Sequence, residues 1–112
     1  MSVPVLNRQL TLQERQGSPD GAGGRSESWV TLGTLWAGVQ SRSGRETQGF
    51  GGAVSLGTFR ITVRGAPVGA SNRPIPGQRF VMGARIFEIL AVTEIEPGGM
   101  YLDCDAREEV AA

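Results

Sequence analysis

The sequence predicts an all-β fold, a small six-stranded β-barrel or compact sandwich with long loops and little helix. Three observations carry this. Apolar and polar residues alternate with a period of two in several short runs. Glycine and proline, 17 and 6 of the 112 residues, fall in clusters between those runs. No window of about a dozen residues carries an apolar stripe at helical spacing. A chain of 112 residues and 11.9 kDa is enough for one domain over 1–112 and not for two. Closing six strands into a barrel also removes exposed edges.

The elements follow in order. Gln9 to Gln16 alternates, with Leu10 and Leu12 on one face, and 17–25 (GSPDGAGGR) reads as a loop. Ser28 to Gln40 is rich in β-branched and aromatic residues, and its Gly33 and Gly38 suggest bulges or bends in a long strand. Trp29 and Trp36 read as core or inter-strand packing residues. Residues 41–53 are polar and Gly-rich, a loop out of proportion to so small a core. Val54 to Arg64 gives the clearest signal: Phe59, Ile61 and Val63 face one way, Arg60, Thr62 and Arg64 the other. Residues 65–77 are too Pro-rich for a central strand, and Arg79 to Met82 is a short strand. Arg85 to Ile95 is apolar on both faces, which predicts the most buried strand or one packed on a neighbouring subunit. A turn at 96–99 leads into Met100 to Arg107, with Met100, Leu102, Cys104 and Ala106 inward, so that 85–107 reads as a hairpin. The ends, about 1–6 and 108–112, are expected to be flexible.

Composition narrows the function. All 11 basic residues are arginine; there is no His, no Lys and a single Cys. That excludes His-based triads, lysine Schiff bases, the P-loop lysine, an intrachain disulfide and a Cys-rich zinc site. No enzyme and no cofactor or metal is expected. No run approaches the roughly 18 apolar residues that span a bilayer, and Met1 to Arg15 lacks the pattern of a signal peptide. Cys104, on the apolar side of its strand, reads as a small core residue suited to a reducing compartment. The formal charge is zero but divided: residues 1–85 carry ten Arg against four acids, residues 86–112 one Arg against seven. The halves are therefore +6 and −6, and the division either averages out in the fold or supplies complementary faces that stack in an assembly.

The candidate chemistry is sparse. GAGGR (21–25) precedes no helix, so a phosphate-cradling loop is not expected. Asp103 with Asp105, and Glu94 with Glu96, lie two apart on strands and could face a hard cation, but read better as solvated faces. Arg42 and Arg45 flank Gly44 in the long loop, with Phe50 beyond; they belong either to a solvated loop or to an arm touching DNA phosphate or a neighbouring subunit. Arg60 and Arg64 line a wet face, and Arg79 and Arg85 would add to an Arg-rich surface if those faces converge.

The order of these segments resembles the tailed-phage head–tail joining family, also called head-closure or stopper proteins, with copies in gene transfer agents. LNRQLTLQER, DGAGGRSESWVTLGTLWAGVQSRSGRE, FRITVRG and PGQRFVMGARIFEILAVTEIEPGGMYLDCDARE carry the resemblance over roughly residues 6–109. It implies a structural connector assembled as a ring of six or twelve subunits, between the portal and adaptor and the tail terminator or tail tube. The ring would sit in the particle neck after assembly in the host cytoplasm, retaining double-stranded DNA in its channel and then passing it. The long loop would gate that channel through Arg42, Gly44, Arg45, Glu46, Gly49, Phe50, Gly51 and Gly52. Arg60, Arg64, Arg79, Glu108 and Glu109 would serve contacts between subunits or rings. From the residues alone two other classes stay open: a small barrel binding single-stranded nucleic acid, against which stand the zero net charge and few exposed aromatics, and a carboxylate enzyme built on Asp103 and Asp105.

Overall fold

The computed structural model describes residues 4–19, 25–43, 57–95 and 98–109. Six strands, β1 (Arg8–Pro19), β2 (Arg25–Ser43), β3 (Thr58–Arg64), β4 (Arg79–Met82), β5 (Arg85–Ile95) and β6 (Tyr101–Glu109), close into an antiparallel barrel in the order β1-β2-β3-β6-β5-β4. The described residues include no helix. The expected all-β barrel is what forms.

The core follows the period-two pattern. Leu10 and Leu12 of β1, Ala37 of β2, Ile61 and Val63 of β3, Phe80 of β4, Phe87 and Ile89 of β5, and Leu102, Cys104 and Ala106 of β6 are buried together. At about 25 cal/mol per Å² of apolar surface removed from water, each of the larger side chains stabilises the fold by roughly 1.5–3 kcal/mol.

Register explains why β2 is 19 residues long. The pairing runs from Thr31 of β2 to Gln13, Arg79, Glu88, Arg107 and Thr58, then returns to β2 at Ser43, 12 residues further on. The strands are therefore steeply staggered, and one strand must span the offset that closes the barrel. The first part of β2 pairs with β1, its last part with β3. Beyond Gln13, β1 pairs among the described residues only with β2, so that 14–19 and 25–30 form a two-stranded ribbon leaving the barrel wall. A register shift at Leu12/Gln13, opposite Gly33, marks where the ribbon departs.

Several expectations need correction. Trp36 is not a core residue: it lies on the outer wall, 57% exposed. Its alternation partner Ala37 takes the inward position instead. Met100 precedes β6, beyond the end of the barrel wall, and is also exposed; its carbonyl accepts the Gly65 amide (2.8 Å) there. The most buried strand is β6, not β5, whose Leu90 is turned out where the β5–β6 register slips between Ile89 and Ala91. Strand pairing also continues into the expected loops, to Pro19, from Arg25 and to Ser43, and β6 runs on to Glu109.

Candidate functional site

Both ends of the barrel are closed by side chains. At one end Arg85 and Glu108 continue the inward-facing sets of β5 and β6. They form a forked ion pair, Nε to Oε2 at 2.8 Å and Nη2 to Oε1 at 3.0 Å. The Arg85 guanidinium lies over both Phe59 and Phe87, whose rings meet edge to face at 5.2 Å. The hydrogen bond that Arg85 donates to Glu108 raises the Arg85 pKa above its ordinary value, against the opposing effect of burial. At the other end residues 65–78 cross from β3 to β4, strands that stand opposite each other in the barrel order. Pro74 of this crossing is fully buried, and Arg73 ties it down through the Ala66 carbonyl (2.9 Å) and Glu94 (3.6 Å). The Gln78 side-chain oxygen accepts the Ile75 amide, and its backbone carbonyl accepts the Ile89 amide. The barrel interior is packed side chain and offers no passage.

The outer wall is covered by cross-strand ion pairs. Arg42 meets Asp105 at 2.8 Å, Arg60 meets Asp103 at 3.8 Å, and Arg107 meets Glu88. Thr62 donates a hydrogen bond to Asp103 at 2.7 Å. Asp103 and Asp105 thus face arginines across the sheet, an arrangement of neutralised carboxylates rather than of ligands for a cation. Among the described residues no group of three potential metal ligands converges; Glu96 lies outside them. Burial, reinforced by Asp103 and Asp105, pushes the Cys104 thiol from its ordinary 9.0 up to about 12, which leaves it protonated and inert.

The interface candidates separate. Arg60 on β3 and Arg79 on β4 lie on opposite sides of the barrel, so the Arg-rich faces do not converge. Glu108 is committed to Arg85, with its side chain 13% exposed. Arg64 is exposed and makes no ion pair among the described residues; it lies beside Trp36 and Tyr101, in an open groove of about 490 Å³ bordered by Pro4 and Leu6. Arg42 is anchored at the end of β2, whereas Gly44, Arg45, Glu46, Gly49, Phe50, Gly51 and Gly52 lie outside the described residues.

One cluster was not anticipated from the sequence. Arg15 and Arg79 lie against the same indole, their guanidinium carbons 5.1 and 4.0 Å from the Trp29 ring centroid. Arg79 Nε also donates to Gln13 Oε1 at 2.7 Å, and Gln13 in turn donates to Thr31. Burial lowers the Arg79 pKa; Glu109 opposes this and Arg15 adds to it. A signal existed, since Arg15 and Trp29 stand equidistant from Ala22 in the expected 17–25 turn, which a symmetric hairpin would pair.

Comparison with known proteins agrees with this architecture. No curated protein matches the chain. A chain from the virion of a native gene transfer agent particle is 52% identical, with a TM-score of 0.83, covering 98% of this chain and 100% of that one. The solution structure of protein SF1141 from Shigella flexneri 2a shares the fold, with a TM-score of 0.69 at 23% identity and full coverage of both chains. The family model described as phage head completion protein matches residues 1–109. The match over residues 1–109 and the relative within a gene transfer agent virion agree on a structural particle protein, and the chain belongs to the phage head completion protein family.

Proposed function

We propose that copies of this chain form a ring at the head–tail junction, between the portal and adaptor and the tail, which retains packaged DNA and then lets it pass. The observation that carries this reading is the 52% identity, over 98% of the chain, to a component of a gene transfer agent virion. The sealed barrel supports the ring: DNA cannot thread a barrel filled by Phe80, Phe87 and Leu102, so any channel is enclosed by several copies. Stoichiometries of six or twelve fit a symmetric neck.

The gating segment is Arg42 to Gly52. Arg42, held by Asp105, is the fixed root from which Gly44, Arg45, Glu46, Gly49, Phe50, Gly51 and Gly52 follow in sequence. Its glycines permit two arrangements, one closing the channel and one open. For contacts between subunits or rings, Arg64, Arg79 and Glu109 are better placed than Arg60 and Glu108, which are engaged within the barrel.

Deleting residues 44–52 tests the reading. Heads should form and fill, then lose DNA, seen as a drop in nuclease-protected DNA per particle. Normal retention and delivery would refute the gating role.

A further inference from the structure

We infer that the free edge of β1 beyond Gln13, with the Arg15–Trp29–Arg79 cluster beside it, docks an extended, carboxylate-bearing segment of a neighbouring protein in the assembled particle. The inference rests on the chain's role as a particle component and adds a site and the chemistry of its occupant.

Charge is the first observation. Arg42, Arg60, Arg73, Arg85 and Arg107 each meet a carboxylate of the same chain. Arg15 and Arg79 form no ion pair within 4 Å among the described residues, Glu109 acting on Arg79 only from further off, yet both are held at one indole. Bringing two like charges together raises their energy unless an anion joins them. Nor are these side chains free to move apart: Gln13 fixes Arg79 through Nε, so its terminal nitrogens remain to grip an oxyanion in a fixed orientation. Trp29, half-buried, braces both guanidinium groups and supplies apolar surface for a neighbouring side chain.

The second observation selects a protein over DNA. β4 pairs with β1 only through Thr11, Leu12 and Gln13. From Glu14 onward that edge has no strand partner among the described residues, so every second residue presents its backbone N–H and C=O outward. Arg79, the first residue of β4, stands where the vacant line begins. An incoming strand would extend the line of β4, satisfy the β1 backbone and bring alternate side chains over Arg15 and Trp29. A DNA backbone offers no such ladder.

The test places the photo-crosslinking residue p-benzoylphenylalanine at Gln16, exposed on the free edge, and illuminates purified particles. Crosslinked peptides are then read by mass spectrometry. The expected product joins residue 16 to a segment of a neighbouring protein with acidic residues at alternate positions. Arg15→Gln with Arg79→Gln should lower its yield by about tenfold or more, whereas Arg79→Lys, which retains charge, should lower it less. Reversing the acid of the captured segment to Arg should restore assembly to Arg79→Glu particles. Thermal melting of each free variant separates a folding defect from a docking defect. Crosslinks to DNA, no crosslink in chain-containing particles, or a yield unmoved by the double variant would overturn the inference. Particles lacking the chain altogether would instead overturn the connector reading.

Discussion

The Cys104 thiol illustrates how a single residue reports on the whole fold. Its pKa stands at about 12 in the folded chain against an ordinary 9.0, because burial and two flanking aspartates disfavour the thiolate. The protonated form is the one the fold favours, so this contribution is complete below pH 9 and is lost as pH rises from 9.0 towards about 12. Alkaline titration of stability should show the loss, and Cys104→Ala should remove that slope while costing about 1 kcal/mol for its missing sulfur. A thiol reagent at neutral pH should label the native chain only at the rate of unfolding. Arg85 and Glu108 make a second residue-scale case. Glu108→Gln loses the charge that holds Arg85 over Phe59 and Phe87. With Arg85 44% exposed, the loss should be about 1 kcal/mol, a fall in Tm of roughly 4–8 °C by calorimetry. Gly65→Ala should cost more, about 1–3 kcal/mol, because the added methyl carbon would lie 2.0 Å from the Gly99 carbonyl oxygen.

At the scale of elements, alternation made most of the barrel legible. Phe59, Ile61 and Val63, and Leu102, Cys104 and Ala106, were readable as inward sets because each lies in an uninterrupted period-two run. Trp36 and Leu90 face solvent for different reasons: Trp36 sits outward in a strand that continues past its neighbour, and Leu90 lies at a register slip, and neither breaks the local apolar pattern. The 17–25 segment looked like a loop because Gly and Pro dominate it, yet strand pairing reaches Pro19 and Arg25. Candidate functional residues were less legible. Arg79 and Arg64 could be named from their outward positions, but whether an arginine has a carboxylate partner depends on cross-strand register, which no single strand contains. The ribbon itself gives a prediction: Trp29→Ala should leave the unfolding free energy within about 1 kcal/mol of the parent, measured by denaturant titration, since the indole packs on Arg15 and Arg79 rather than on the buried core.

For the molecule as a whole, the +6 and −6 halves do not form two separate faces. Barrel closure interleaves β3 with β6, so Arg60 meets Asp103, while Arg42 meets Asp105, and much of the division is neutralised within the wall. Among the described residues the charge outside ion pairs is scattered: Arg8, Arg64 in its groove, Arg15 with Arg79 on the ribbon side, and the carboxylates of Glu14 and Glu109. Glu109→Arg is therefore a cleaner test of electrostatic assembly than Glu108→Arg, which also breaks the Arg85 pair. Glu109→Arg should melt within a few degrees of the parent. If the proposed ring contacts use it, particle yield should fall, and more steeply at low salt than at high.

The long offset strand has a mechanical meaning as well. β2 runs from the ribbon at Arg25 to the root of the proposed gating segment at Ser43 as one extended backbone, clamped by β1 on its first part and by β3 on its last. An extended chain has almost no slack, and hydrogen bonds lying across the direction of pull resist it together rather than one at a time. A tug on the ribbon from outside would thus be shared out to β1 and then β3 along the clamped length, so that the barrel answers as one body instead of passing the load on to Ser43.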